Sequence, residues 1–391
     1  MARRSPILVE RMRPYERSVF GDMSARARSV GAVNLGQGFP DEDGPDELKA
    51  IATAAITDGR GNQYPPAHGL PDLRQAVAEH QERFYGLSVD PDAGVVIGTG
   101  ASEVLQAALL ALCEDGDEVV VFEPWFDLYA AGIALAGAQR VSVPLRPPTY
   151  RPDIDALRAA ITDRTRVLLL NSPHNPTGVV FTRDELAAIA QIAIERDIVV
   201  LSDEAYEHLW FDGHPHIPIS TLTGMFERTI SVGSGGKSFS FTGWKVGWAS
   251  GPADLIGAVR VVRQHLSYVS GGPFQYAIAA GLRLPDSYFE HLRSSMQAKR
   301  DLLTPGLRDL GFAVTESEGT YFVTTDLGPF EVEDGRALCA WLPEHAGVAA
   351  IPIQVFCDDP AVGAGSIRWA FGKSDDTLRE ALRRLHKVIE S

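Results

Sequence analysis

Thr229-Ile230-Ser231-Val232-Gly233-Ser234-Gly235-Gly236-Lys237 ends on one of only six lysines in a chain of 391 residues. Its first half is apolar and β-branched, which predicts a strand. Its second half is small and glycine-rich, so the backbone there can come close to a neighbour. Two upstream stretches have the same form, an apolar run that ends in polar residues. Val167-Leu168-Leu169-Leu170-Asn171 leads to Asn175-Pro176-Thr177-Gly178, and Ile198-Val199-Val200-Leu201-Ser202-Asp203 leads to Tyr206. Runs that are apolar throughout suit strands of a parallel sheet buried on both faces. Ligands of such sheets sit beyond the carboxyl ends of the strands.

Working outward, further strands are predicted at Val95–Ile97, Glu118–Phe122 and Gly247–Ser250. They alternate with helices over Ser102–Leu112, Arg183–Glu195 and Leu255–Ser267. An amphipathic helix is predicted from Pro71 to Phe84, behind a turn-rich loop at Arg60–Pro66. This alternation specifies an α/β fold. After Pro285 the pattern changes to a long charged helix from Ser287 to Leu310. Short alternating segments follow at Thr320–Thr325 and Ser366–Ala370, then a last helix from Asp376 to Ile389, the pattern of a smaller α+β domain. The expected division is an arm and part of the small domain over 1–40, a large ligand-binding domain over 41–284 and a small domain over 285–391. The arm is expected to pack on the small domain or on a partner subunit. No period of 20 to 50 residues repeats, which excludes a solenoid.

Composition narrows the function classes. A net charge of −15 argues against a nucleic-acid surface. No stretch reaches the roughly 18 apolar residues of a membrane span. Arg3-Arg4 resembles a twin-arginine signal only superficially, because Arg11, Arg13, Glu16 and Arg17 follow where an apolar region belongs. A cytoplasmic protein is the simplest expectation. Cys113, Cys339 and Cys357 fit neither a metal spacing nor a disulfide framework, so free thiols and no metal are expected.

The strand ends gather an amine (Lys237), an acid (Asp203), an amide (Asn175) and a phenol (Tyr206). An amine can form a Schiff base with an aldehyde. A carboxylate can keep a pyridine nitrogen protonated, which makes the ring an electron sink. The set suits pyridoxal 5'-phosphate (PLP). Gly98-Thr99-Gly100-Ala101-Ser102-Glu103 follows a strand and opens a helix, and free amides there form an anion site. A plain turn capped by Ser102 is the bland alternative. The segment is neither a Walker loop nor a G-x-G-x-x-G fingerprint. The other pieces have bland alternatives too. Asp203 could cap a turn, Tyr206 fill a core, Asn175 make a turn before Pro176, and Lys245 carry a surface charge. Against these, Asp203 at the end of an apolar strand needs a cationic partner. Strand alternation turns Glu204 to the other side. Arg368, a lone charge in Ser366-Ile367-Arg368-Trp369-Ala370, should pair with a carboxylate of the protein or of a substrate.

Taken together, Asn171-Ser172-Pro173-His174-Asn175-Pro176-Thr177-Gly178, Ser202-Asp203-Glu204-Ala205-Tyr206, Gly233 to Phe239 and Ile367-Arg368 resemble the class I/II aminotransferases of PLP fold type I. The resemblance extends over nearly the whole chain. Asn34 to Asp41, Asn62-Gln63-Tyr64 and Thr242 to Trp248 resemble the branch of kynurenine/glutamine, methionine and N-succinyldiaminopimelate aminotransferases. Asp41 to Pro45 and Leu266 to Val269 lean towards the last of these. The resemblance implies a mainly parallel seven-stranded sheet flanked by helices, plus the smaller α+β domain. It implies that Lys237 links PLP as a Schiff base and then shuttles a proton, and that Asp203 pairs with the pyridine nitrogen. Asn175 and Tyr206 would bond the phenolic oxygen and Phe126 stack on the ring. Gly100, Ala101, Ser102, Ser234 and Lys245 would hold the phosphate, Lys245 as a point charge. Arg368, helped by Asn175 and the backbone near Gly38, would bind the substrate α-carboxylate. Tyr64 would reach the neighbouring subunit's cofactor, so a homodimer with shared active sites is expected.

Two departures stand out. Gly235-Gly236 suggests a loose approach to the lysine, and Ala361 to Gly365 looks short and featureless. The function implied is ping-pong transfer of an amino group between an L-amino acid and a 2-oxoacid. The alternatives are a β-lyase on sulfur-substituted cysteines and a transaminase of specialised metabolism. A PLP-sensing regulator would need an added DNA-binding domain, for which the chain has no room.

Overall fold

The structure, a computed structural model, describes residues 7–16 and 19–390. The paired Arg3-Arg4 and Arg17 lie outside the described residues. Seven strands form the central sheet. Their spatial order is Val95–Thr99, Val246–Ser250, Thr229–Ser234, Val199–Asp203, Thr165–Asn171, Glu118–Glu123 and Gln139–Pro144. Val246–Ser250 runs antiparallel to both its neighbours, and the remaining pairs are parallel. The register sets Asn171 opposite Asp203 and Asp203 opposite Val232. The chain therefore leaves three neighbouring strands at one level, carrying the residues that follow each to a common edge.

Several elements of this region differ from the sequence expectation. Gln139–Pro144 is a strand that was not predicted; it lies at the sheet edge, and its outward residues are polar. The helix predicted to reach Ser267 ends at Arg263. The buried Arg263 guanidinium donates to the carbonyls of Ala67 and Tyr268, which bends the following chain back. The helix Gly272–Leu282, almost wholly apolar with Pro273 in its first turn, packs on Asp46–Thr57 and Pro71–Tyr85.

Beyond the long helix Asp286–Asp309, a three-stranded antiparallel sheet is ordered Ile351–Pro352, Ile367–Ala370, Phe322–Thr325. The helices Gly335–His345 and Asp375–Ile389 share its hydrophobic cluster, which also takes in Tyr206 and Leu209 from the central sheet's side. The arm packs in two places. Val33–Asn34 pairs with Val348–Ala349, and helix Val19–Ser29 lies near Gly335–His345. The 3-10 turn Glu10–Tyr15 instead lies on the helix Asp127–Leu135. Pro360–Gly363 is a short helical turn whose Gly363 touches Gln354, so the stretch before Arg368 is packed and not featureless. All three cysteines are free and buried. Among the described residues no helix is long and apolar enough to cross a membrane.

Candidate active site

At the common edge of the sheet lies a cavity of about 390 Å³. Its walls include Lys237, Asp203, Tyr206, Asn175, Phe126, Ser234, Lys245, Gly100, Ala101, Ser102, Gly38 and Arg368. Of the residues singled out from sequence, Tyr64 alone stands elsewhere. It is 80% exposed, edge-on to Tyr268 at 5.6 Å between ring centres.

Lys237 sits in the single helical turn that follows its strand. Its Nζ donates to the Tyr321 hydroxyl at 2.6 Å and to the Gly38 carbonyl at 3.1 Å. Tyr321 in turn donates to the same carbonyl at 2.5 Å. The expected looseness of Gly235-Gly236 is not found. A Cβ on Gly235 would stand 3.0 Å from Ile278, and one on Gly236 3.0 Å from the Thr242 backbone. Both positions are closely packed, Gly235 against a side chain and Gly236 against backbone.

Asp203 is buried and accepts from the Tyr129 hydroxyl at 2.6 Å and from the Ala205 amide at 3.1 Å. Burial raises its pKa and the Tyr129 bond opposes that rise. Glu204 faces away, towards Ser202, Ser231 and His216, as strand alternation requires. Asn171 fixes the neighbourhood: its amide donates to the Asp203 carbonyl and its oxygen accepts from the Asn175 backbone.

One end of the cavity is built for an anion. The thirteen-residue helix Gly100–Leu112 points its N-terminus there. Lys245, held with φ at 54°, donates to Ser102 Oγ at 3.3 Å. Gly100 has φ at +74°, a conformation that favours glycine, and its Cα faces the Lys245 amine, 3.0 Å from where a Cβ would lie. Burial, then the Lys237 cation, lowers the Lys245 pKa, which an incoming anion would reverse.

Arg368 closes the other end. It donates to Asn175 Oδ1 at 3.0 Å and to the Gly36 carbonyl at 2.7 Å, and it lies over the Phe322 ring. Its Nε has no partner, and burial lowers its pKa to about 10. Among the described residues no carboxylate pairs with it. A buried fork with an idle donor beside an amine and an acid is a receptor for a carboxylate.

Known proteins agree with this geometry. The sequence pattern of the family described as aminotransferase class I and II matches residues 30–385. The chain belongs to the class I and II aminotransferases. This aminotransferase is 50% identical to the probable N-succinyldiaminopimelate aminotransferase of Mycobacterium tuberculosis, over 98% of each chain. It is 38% identical to the methionine aminotransferase of Escherichia coli K12, over 95% of this chain and 96% of that one. The solved N-succinyldiaminopimelate aminotransferase of M. tuberculosis superposes with a TM-score of 0.95 at 51% identity, covering 97% of this chain and all of that one. The aminotransferase is therefore an enzyme of fold type I, as its sequence motifs implied.

Three residues of the site carried no expected role. Tyr129 lies three positions after Phe126, on the same helix face, and that spacing could have linked it to the cavity. Tyr321 precedes a strand of the other sheet, and Asn171 acts through its neighbours. Asn171 is visible in sequence as the polar end of its strand and the start of a motif, without a role of its own, and Tyr321 has no signal there.

Proposed function

We propose that this chain transfers an amino group between an L-amino acid and a 2-oxoacid by a ping-pong route, with PLP held in the cavity. The uncompensated Arg368 fork beside Lys237 carries the reading. PLP fits the donor set. Asp203 is a buried carboxylate that forms no ion pair among the described residues and would gain a cationic partner in a protonated pyridine nitrogen. The helix N-terminus at Gly100, with Ala101, Ser102, Ser234 and Lys245, would hold a phosphate, and Phe126 would cover the ring. Asn175 and Tyr206 would bond the phenolic oxygen. Bound there, PLP supplies an electron sink for the charge that develops at the substrate Cα.

The chain's own groups do the rest. Arg368 and Asn175 orient the α-carboxylate, so that the Cα hydrogen faces Lys237 Nζ. Lys237 takes that proton and later returns it to the cofactor side. Tyr321 and the Gly38 carbonyl hold the amine in place while it is free. Borohydride reduction and peptide mapping test the assignment. The pyridoxyl group should stay on Lys237; a label on Lys245 overturns it.

For the amino donor, the M. tuberculosis relative supports N-succinyldiaminopimelate. A second observation favours a neutral, apolar side chain. Arg368, Lys237 and Lys245 are the only cations lining the cavity among the described residues, and Phe20, Phe39, Leu105 and Phe322 make up much of the rest. Half-reactions with both kinds of donor, followed by absorbance, decide between them. A stable amino form of the cofactor after each also separates transamination from β-elimination.

We further propose a homodimer, supported by exposed Tyr64, Val261, Leu266 and Tyr268. Three unpaired buried thiols support the cytoplasm as its place. The division at residues 40 and 284 is the arrangement we propose for the domains.

A further inference from the structure

Away from the cavity, the helix Pro71–Tyr85 meets the segment that follows Tyr206 in a knot of buried titratable side chains. His80 Nε2 and His208 Nε2 stand 2.8 Å apart. Glu207 Oε2 lies 3.9 Å from His80 Nε2 and accepts from the Tyr85 hydroxyl at 2.7 Å. One ligating atom from each of His80, Glu207 and His208 falls within 4.8 Å of the others. All three residues are buried, and the rings of Phe84 and Phe289 wall them in.

Two buried carboxylates and three imidazoles meet here. Glu207 and the nearby Glu204 are buried carboxylates that meet no lysine or arginine in an ion pair among the described residues. The groups facing them are His80, His208 and His216, the last with Nε2 3.6 Å from Glu204 Oε2. The carboxylates take hydrogen bonds from hydroxyls, Glu207 from Tyr85 and Glu204 from Ser202 and Ser231. The ring nitrogens of His80 and His208 that face each other have only one another and Glu207 within reach.

We propose that His80, Glu207 and His208 form a site for a divalent transition-metal ion, with Zn²⁺ the best match, separate from the amino-acid site. Two imidazole nitrogens and a carboxylate bind zinc at about 2.0 to 2.2 Å. Tetrahedral ligands at those lengths stand roughly 3.3 Å apart, so the two rings part by about half an ångström to admit the ion. A second Glu207 oxygen or a water completes the shell. Tyr85 orients the carboxylate from outside, as outer partners of metal ligands do. Glu204 and Glu207 together match the ion's two charges. The ion would tie the helix of His80 to the segment carrying Asp203 and Tyr206, which makes it a brace for the PLP side of the fold.

The test uses the full-length holoenzyme, stripped with EDTA and reloaded with Zn²⁺ alone or Co²⁺ alone. Mass spectrometry of the metal should find about one ion per chain, lost in His80→Phe and Glu207→Gln. Zn²⁺ should raise the melting midpoint of the wild type and leave that of His80→Phe unchanged. Co²⁺ should give the wild type a visible d–d band, a readout that needs no variant to fold. No retained ion and no cobalt band in the wild type would overturn the site. An unchanged ion count in either variant would do the same, and the cluster would then be a neutral hydrogen-bonded pair of rings.

Discussion

Arg368 is buried, and among the described residues no carboxylate forms an ion pair with it. Its fork is set by Asn175 and Gly36, and its Nε is idle. Arg368→Lys keeps the charge and loses the fork. We expect kcat/KM to fall about 10- to 1000-fold for amino acid and oxoacid alike, roughly 1.4 to 4 kcal/mol. The PLP dissociation constant should barely move, since the phosphate groups are elsewhere. Loss of cofactor with intact half-reactions would make Arg368 a structural residue. Asp203 answers a different question. In the proposed role its carboxylate would be ionised, and the Tyr129 hydroxyl works against the effect of burial. Tyr129→Phe removes a bond that lowers the Asp203 pKa, so that pKa rises further. Activity that needs the ionised acid is then lost earlier as pH falls, and the acid limb of the kcat/KM profile should move to higher pH. Asp203→Ala should lower kcat by orders of magnitude. A pH profile unchanged in Tyr129→Phe would show that the phenol only fills space.

At the scale of elements, strand ends were readable and their surroundings were not. The runs leading to Asn171 and Asp203 are apolar, the one leading to Ser234 small and β-branched, and a strand buried on both faces keeps such runs. Their polar last residues then had to meet beyond the sheet, which is why Lys237, Asp203 and Asn175 could be placed together. Gln139–Pro144 was missed because an edge strand with polar outward residues has no apolar run to read. Gly272–Leu282 was missed for the opposite reason: small and apolar all round, it shows no helical period. Tyr321 reaches Lys237 from the other sheet, a contact that only tertiary structure creates. Gly38 was expected near the substrate for its backbone, and the fold gives the reason. A Cβ there would stand 2.5 Å from Phe322 Cζ. Gly38→Ala should therefore shift the arm, with a stability loss of about 1 to 3 kcal/mol by thermal denaturation. Activity should fall more steeply than that loss explains, because the carbonyl also accepts from Lys237 and Tyr321.

For the whole molecule, the prediction concerns two copies. Tyr64 lies outside its own cavity, so the role proposed for it at a cofactor would require a partner chain. Lys237→Ala should be inactive, and Tyr64→Ala should bind PLP more weakly. Co-refolded, the two should form hybrids with one complete site, built from Lys237 of one chain and Tyr64 of the other. Activity that does not recover above the two parents, or a monomer by sedimentation velocity, would remove Tyr64 from the site.

The Gly38 carbonyl, the Tyr321 hydroxyl and the Lys237 amine form a triangle drawn from the chain's start, its last third and its centre. Binding energies are reciprocal. Drawing the amine out of that triangle gives up two hydrogen bonds and leaves Tyr321 bonded to Gly38, so the arm and the C-terminal sheet stay joined. The amine is thus a removable strut: on the proposed reaction, each half of the cycle would take away or restore its two bonds.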